Sequence, residues 1–193
     1  MATNSSTLGY LAPTAAAAYD NTLEDILQAA VVGITGLAPE LVRPRWQPEP
    51  PQQPDFSVDW CAFGITDTEV DTFAYDRHDP VGDGTNKVER DEIITVLHSF
   101  YGPNAHAYCE RLRDGFEVSQ NRDVLRSYNI TLVEVGRAQQ LPALLKEKWV
   151  KRIDTSIQYR RRTSRTYAVL TITSAQGQLV TEGYTAPIIV TNP

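Results

Sequence analysis

From Lys151 to Arg162 the chain alternates without a break, with Ile153, Thr155, Ile157 and Tyr159 on one side and Arg152, Asp154, Ser156, Gln158 and Arg160 on the other. A period of two over that length fits an extended strand with one face on a core, because successive side chains of a strand point to opposite faces. After Arg162-Thr163-Ser164-Arg165 a second alternating run sets Tyr167, Val169 and Thr171 against Ala168, Leu170 and Ile172. Two such runs around a short polar break predict a long antiparallel hairpin near the C-terminal end, with a charged tip. Any fold for this chain must supply a sheet for it.

The rest of the sequence supplies helices and further strands. Leu23, Ile26, Leu27, Ala30, Val31 and Ile34 recur at helical spacing. Asn21 or Thr22 is the cap, Glu24 and Asp25 suit the helix dipole in the first turn, and Gly36 and Pro39 end the element. Residues 1–20 are small, polar and Ala-rich, and read as a flexible arm that orders against a partner. Six prolines fall between Pro39 and Pro54. Pro44 allows at most an edge strand in Leu41–Gln47, and residues 44–55 read as a Pro-rich connector inside one domain spanning 21–193. Ser57–Asp67 is a central strand with two apolar faces, Asp76–Lys87 a turn-rich loop, and Val88–Phe100 a long strand. Pro103 starts a helix with Ala105, Tyr108, Cys109, Leu112 and Phe116 on one face. Asn121 caps a shorter helix with Val124, Leu125 and Tyr128 inward, Asn129 suits its left-handed end, and Ile130–Val135 is a strand. Gln176-Gly177-Gln178 is a turn, and a short apolar tail follows Pro187. The order predicts an α+β (mixed α/β) fold, a mostly antiparallel sheet with helices packed on it and a long C-terminal β-hairpin.

The bulk properties narrow the function classes. With 193 residues and 41% hydrophobic residues the chain can bury a core without disulfides or metals. Its two cysteines, Cys61 and Cys109, lie far apart with no metal-ligand spacing, which fits buried thiols in a reducing compartment. No basic segment followed by an apolar core marks a signal peptide, and no apolar run is long enough for a membrane span. The net charge of −6 is unevenly spread. Between Lys146 and Arg165 eight basic residues meet two acidic ones, giving +6; the remainder holds 10 basic and 22 acidic residues and carries −12.

No GxSxG, HExxH, P-loop or GxGxxG pattern occurs. An EF-hand register from Asp79 places Gly84 correctly, but puts Val81 and Arg90 where ligand oxygens are required, so Asp79, Asp83 and Asn86 read as a solvated loop. His106 and Cys109 share a helix face but lack a second pair of ligands. Asp91-Glu92 and Asp67/Glu69/Asp71 are the paired carboxylates, on strand edges and turns, without a flanking catalytic pattern. The chain is therefore expected to have no enzymatic activity, cofactor or metal. The informative charges are Lys151, Arg152, Arg160, Arg161, Arg162 and Arg165. On a hairpin over 151–165 they fit three uses: phosphate contacts of a nucleic-acid-binding module, docking into an acidic groove of a neighbouring subunit, or a solvated tip.

Four segments carry a resemblance: the apolar strand Trp60-Cys61-Ala62-Phe63-Gly64-Ile65; Ile93-Ile94-Thr95-Val96 leading into Phe100-Tyr101-Gly102-Pro103-Asn104-Ala105; Asn129-Ile130-Thr131-Leu132; and Trp149-Val150-Lys151-Arg152-Ile153-Asp154 with the alternating run behind it. In order and spacing, from Trp60 to about Gln178, they resemble the tail terminator (neck) proteins of tailed bacteriophages. The resemblance implies a structural protein of the virion neck, assembled in the host cytoplasm. Such a protein forms a homo-oligomeric ring, usually six-fold, that caps the tail tube and ends its polymerisation. The implied partners are the tail tube protein, the head–tail connector and, as a further neighbour, the sheath protein. DNA passes through the lumen without specific binding. A ring interface joins unlike surfaces of successive copies, and a basic segment on an acidic body provides them.

Overall fold

Leu23, Leu27 and Val31 repeat one helical turn apart, and all three are buried along α1 (Asp20–Thr35). The helix stops where Gly36 turns left-handed (φ 75°) and donates its N–H to the Val32 carbonyl at 2.9 Å. The computed structural model describes residues 4–15, 17–49, 51–145, 147–172 and 174–191. After α1 come β1 (Val42–Pro44), β2 (Trp60–Val70), β3 (Tyr75–Asp79) and β4 (Thr85–Tyr101). Two helices follow, α2 (Ala105–Glu117) and α3 (Ser119–Arg126), then β5 (Ile130–Val135) and the short β6 (Gln139–Gln140), β7 (Ala143–Leu145) and β8 (Lys148–Val150). The chain continues with β9 (Arg152–Tyr167), β10 (Ser174–Thr181) and β11 (Tyr184–Thr191). It divides into two compact units: Ala17–Ala74 with Arg90–Thr163, and Met1–Ala16 with Tyr75–Glu89 and Ser164–Pro193.

In the larger unit the strands run β1-β2-β4-β9-β5, and β6 also pairs with β9. β1 is parallel to β2, while β2–β4, β5–β9 and β6–β9 are antiparallel. The Gly102 N–H reaches the Lys151 carbonyl and the Thr163 hydroxyl reaches Arg90, so β4 and β9 also run in opposite directions. The inner face is built by one phase of each strand: Cys61 and Phe63 from β2, Ile94, Val96 and Phe100 from β4, and Ile153, Ile157 and Tyr159 from β9. Against it lie Leu23, Leu27 and Val31 of α1 and Ala105, Cys109, Leu112 and Phe116 of α2. Phe116 meets the Tyr159 ring edge to face at 5.9 Å. Gly115 permits the approach of the two helices, since a Cβ there would collide with Ile34. The α2 start is held by Asp59, whose carboxylate accepts the Asn104 backbone N–H at 2.7 Å and its side-chain amide at 2.9 Å.

In the smaller unit β3 pairs with residues 85–89 of β4, and β10 pairs with β11. Ser5, Thr14 and Ala15 hydrogen-bond to Ala168 and Thr166. The turn-rich stretch 76–87 is therefore mostly strand, its loop confined to residues 80–84. Side chains hold it: Asn86 bridges Asp76 and His78, and His78 reaches Thr171 at 3.0 Å.

The α+β architecture matches the sequence reading, but the hairpin sits elsewhere. Residues 152–167 form one uninterrupted strand, with no turn at Arg162–Arg165. The reason lies in the phase: Arg161 and Thr163 continue the inward series of Ile153, Thr155, Ile157 and Tyr159, and both are buried. The C-terminal hairpin is β10–β11, whose turn lies at Glu182-Gly183, so Gln176–Gln178 lies within β10, and Pro187 with the tail after it as far as Thr191 lies within β11. A second difference concerns α3, which ends at Arg126: within it Leu125 alone is buried, whereas Val124 and, in the following turn, Tyr128, both expected inward, are exposed.

The core holds one group whose charge state matters. His98 is buried on β4 with its ring 6.3 Å from that of Phe63. Burial, with the Arg45 charge adding to it, lowers its pKa from 6.5 to about 4. Below pH 6.5 the unfolded chain takes up a proton that the folded chain refuses until about pH 4. Stability is therefore expected to fall across that window by up to roughly 1.4 kcal/mol per pH unit. Urea titrations between pH 7 and 4.5 should show this slope for the wild type and a flatter one for His98→Leu.

Candidate interaction surfaces

Arginines in a strand alternate between faces as any other residue does, so Arg160, Arg161 and Arg162 cannot act as one patch. Arg161 points to the helix-covered side, where it is buried and ion-paired with the buried Glu92 of β4. Its guanidinium also donates to the Ala18 carbonyl at 2.6 Å and lies 4.5 Å from the centre of the Tyr19 ring. Arg160 and Arg162 point to the opposite side and are more than half exposed. Both converge on Asp91: Arg160 at 2.8 Å, and Arg162 through a fork of 2.8 and 3.0 Å. Arg162, with Arg160 beside it, holds the Asp91 carboxyl below the usual carboxylate range.

The same outward face carries a second basic feature nearer the start of β9. Arg152 grips the buried Asp154 through two hydrogen bonds of 2.8 and 2.6 Å and lies 5.7 Å from the centre of the Tyr101 ring. Tyr101 stacks on Trp60 at 4.3 Å, and Arg43 lies 6.0 Å from the centre of the Trp60 ring on the far side. Guanidinium and aromatic planes thus run across β1, β2, β4 and β9. Lys151 is exposed and donates to the Pro103 carbonyl at 3.2 Å. Arg165 belongs to the smaller unit and is half-buried. Lys146, part of the basic segment, lies outside the described residues.

The structure separates the candidate chemical groups. Asp91 and Glu92 face opposite sides of β4 and are each taken by arginine. Asp67, Glu69 and Asp71 are exposed. Cys109 is buried, and burial raises its thiol pKa to about 11; His106 is exposed beside Glu110 at 3.5 Å. Cys61 is buried as well, and its thiol is pushed up further. Among the described residues no group of three or more His, Cys, Asp or Glu is arranged to hold a metal ion, and no helix is long and apolar enough to cross a membrane.

What sequence reasoning missed is the split of the arginine triplet. The signal was present: Arg161 shares the phase of Ile157 and Tyr159, and Glu92 that of Ile94 and Val96. A buried cation in phase with a core requires a buried anion on the neighbouring strand.

A family model described as phage neck terminator protein matches residues 21–183, most of the chain. No curated protein matches it.

The two faces predict unequal mutational costs. Arg161→Leu leaves Glu92 buried without its partner, and a loss of about 3–5 kcal/mol is expected. Arg160→Ala and Arg162→Ala touch exposed pairs and should cost about 1 kcal/mol or less each. Urea denaturation of the three variants, with Arg161→Leu/Glu92→Leu as the compensated double, measures this ordering; three equal, small effects would contradict the buried pair.

Proposed function

Because the chain belongs to the phage neck terminator family, we propose that it assembles as a ring, six-fold in the usual arrangement, that caps the tail tube at the virion neck. It is a structural protein of a bacteriophage. In the proposed arrangement one face of the ring binds the last tube ring and stops polymerisation, and the other receives the head–tail connector. A sheath protein, where the tail has one, is the further neighbour. DNA passes through the lumen without sequence-specific contact. Assembly takes place in the host cytoplasm before heads and tails join.

The observation that carries this reading is the family match across 21–183. The geometry of the larger unit supports it through unlike surfaces. On the outward sheet face Arg160 and Arg162 stay more than half exposed beside Asp91, where an acidic neighbour can approach them. At the other extreme Asp20, Glu24 and Asp25 crowd the start of α1; burial and those two neighbouring carboxylates raise the Glu24 pKa. Heterologous ring contacts need such complementary, non-identical patches. Arg160 and Arg162 supply exposed outward charge, Lys151 is exposed at the start of β9, Arg152 is held by Asp154, and Arg161 fixes the strand from its buried side.

Phage lacking this protein tests the proposal directly. Electron micrographs should show tubes of uncontrolled length and heads that carry no tail. Tails of normal, uniform length joined to heads would overturn it.

A further inference from the structure

Two apolar features of the larger unit lie open among its described residues. The first is a groove of about 480 Å³ between α1 and α3. Ile26, Ala29 and Ile34 form one wall and Val124 and Tyr128 the other, with Asp25 the charged residue among those lining it. Val124 of α3 and Tyr128 in the turn just after it stay 59% and 53% exposed although their spacing in sequence is that of core residues. The second is the β7–β8 hairpin. Ala143 pairs with Val150 and Leu144 with Trp149, so each pair shares a face of the hairpin. The first pair turns inward: Val150 is buried, and Ala143 packs against the Trp60, Ala62 and Tyr101 cluster. The second turns out, leaving Leu144 59% and Trp149 74% exposed.

Resting on the ring reading above, we propose that the outward pair Leu144 and Trp149 of one copy fills the α1–α3 groove of the next. The two features lie on opposite sides of the sheet, because Ala143 packs with the outward cluster while α1 and α3 cover the inner face. A chain therefore cannot fill its own groove. Each copy offers one knob and one socket, so the contact is head-to-tail, and repetition closes a ring when the rotation per copy allows it. Charge selects the same match. The groove is bordered by Asp25, with Asp20 and Glu24 beside it, whereas the hairpin carries the exposed Lys148 next to Glu147 and is followed by the exposed Lys151. A tryptophan beside a leucine, ringed by polar groups, is the composition of an interface anchor.

Thiol cross-linking of the full chain tests the contact. Cys61 and Cys109 are buried, so thiols introduced by Trp149→Cys and Ala29→Cys at exposed positions are the reactive ones. Trp149→Cys chains mixed with Ala29→Cys chains, treated with a short bismaleimide in the presence of tail tubes, should give a covalent dimer. Neither variant alone should. The double variant should give a ladder that ends at the subunit number of the ring. Absence of cross-links in variant mixtures that oligomerise as the wild type does would overturn this contact and leave the ring standing, whereas Trp149→Cys chains that fail to oligomerise where the wild type does would support the anchor. Self-linking of Trp149→Cys alone would mean a two-fold pairing and overturn it as well. A wild-type chain that stays monomeric with and without tubes would overturn both readings.

Discussion

The ion pair of Arg161 and Glu92 fastens β4 to β9, the two middle strands of the larger unit. Both side chains are buried, and the pair reaches the α1 approach through the Ala18 carbonyl and the Tyr19 ring. A buried pair of this kind adds little net stability over an apolar pair, but removing one member is costly, so it fixes which residues must face each other. Apolar alternation also holds register in a two-faced sheet, and a slip of one residue would exchange the faces. With the pair in place, Ile157 and Tyr159 meet α2, and Arg160 and Arg162 meet Asp91 on the other side.

Much of this was legible in the residues. The apolar spacing of Leu23 to Ile34, the Gly36 stop, the pairing-ready strand at Trp60 and the strand Ile130–Val135 are local patterns, and local patterns survive into the fold. The edge position of β1 followed from Pro44. What did not survive was the hairpin tip. Arg162-Thr163-Ser164-Arg165 is polar, and polarity suggested a turn, yet it contains no Gly, Asn or Pro to favour one. Its threonine, Thr163, is β-branched and suits the strand that forms. β3 was hidden for the opposite reason: Asp76 and His78 look like loop residues, and pairing with residues 85–89 of β4, reinforced by their bridging through Asn86, makes an exposed strand of them. The exposure of Val124 and Tyr128 was likewise not legible, because helical spacing says that a stripe is apolar, not what covers it.

These features shift where an assembly function resides. A charged tip that reaches into a neighbour would make the arginines the agent of association. Arg161 instead braces the sheet from its buried side, Arg160 and Arg162 stay exposed beside Asp91, and the proposed contact rests its area on the groove between helices and the apolar pair of the short hairpin. Charge then orients the approach, from basic sheet face to acidic helix start, while apolar contact supplies the area. A neck protein that must join several different neighbours gains from such a division, since each surface rests on a frame that the others do not disturb.

The frame itself is the claim most open to direct measurement. Amide hydrogen exchange followed by mass spectrometry reports opening segment by segment. If β9 is the bound middle strand, amides of residues 153–163 exchange among the slowest in the chain, together with those of residues 92–100 of β4. Exchange of residues 160–163 as fast as that of the Glu182-Gly183 turn would show a mobile tip in their place and contradict the account.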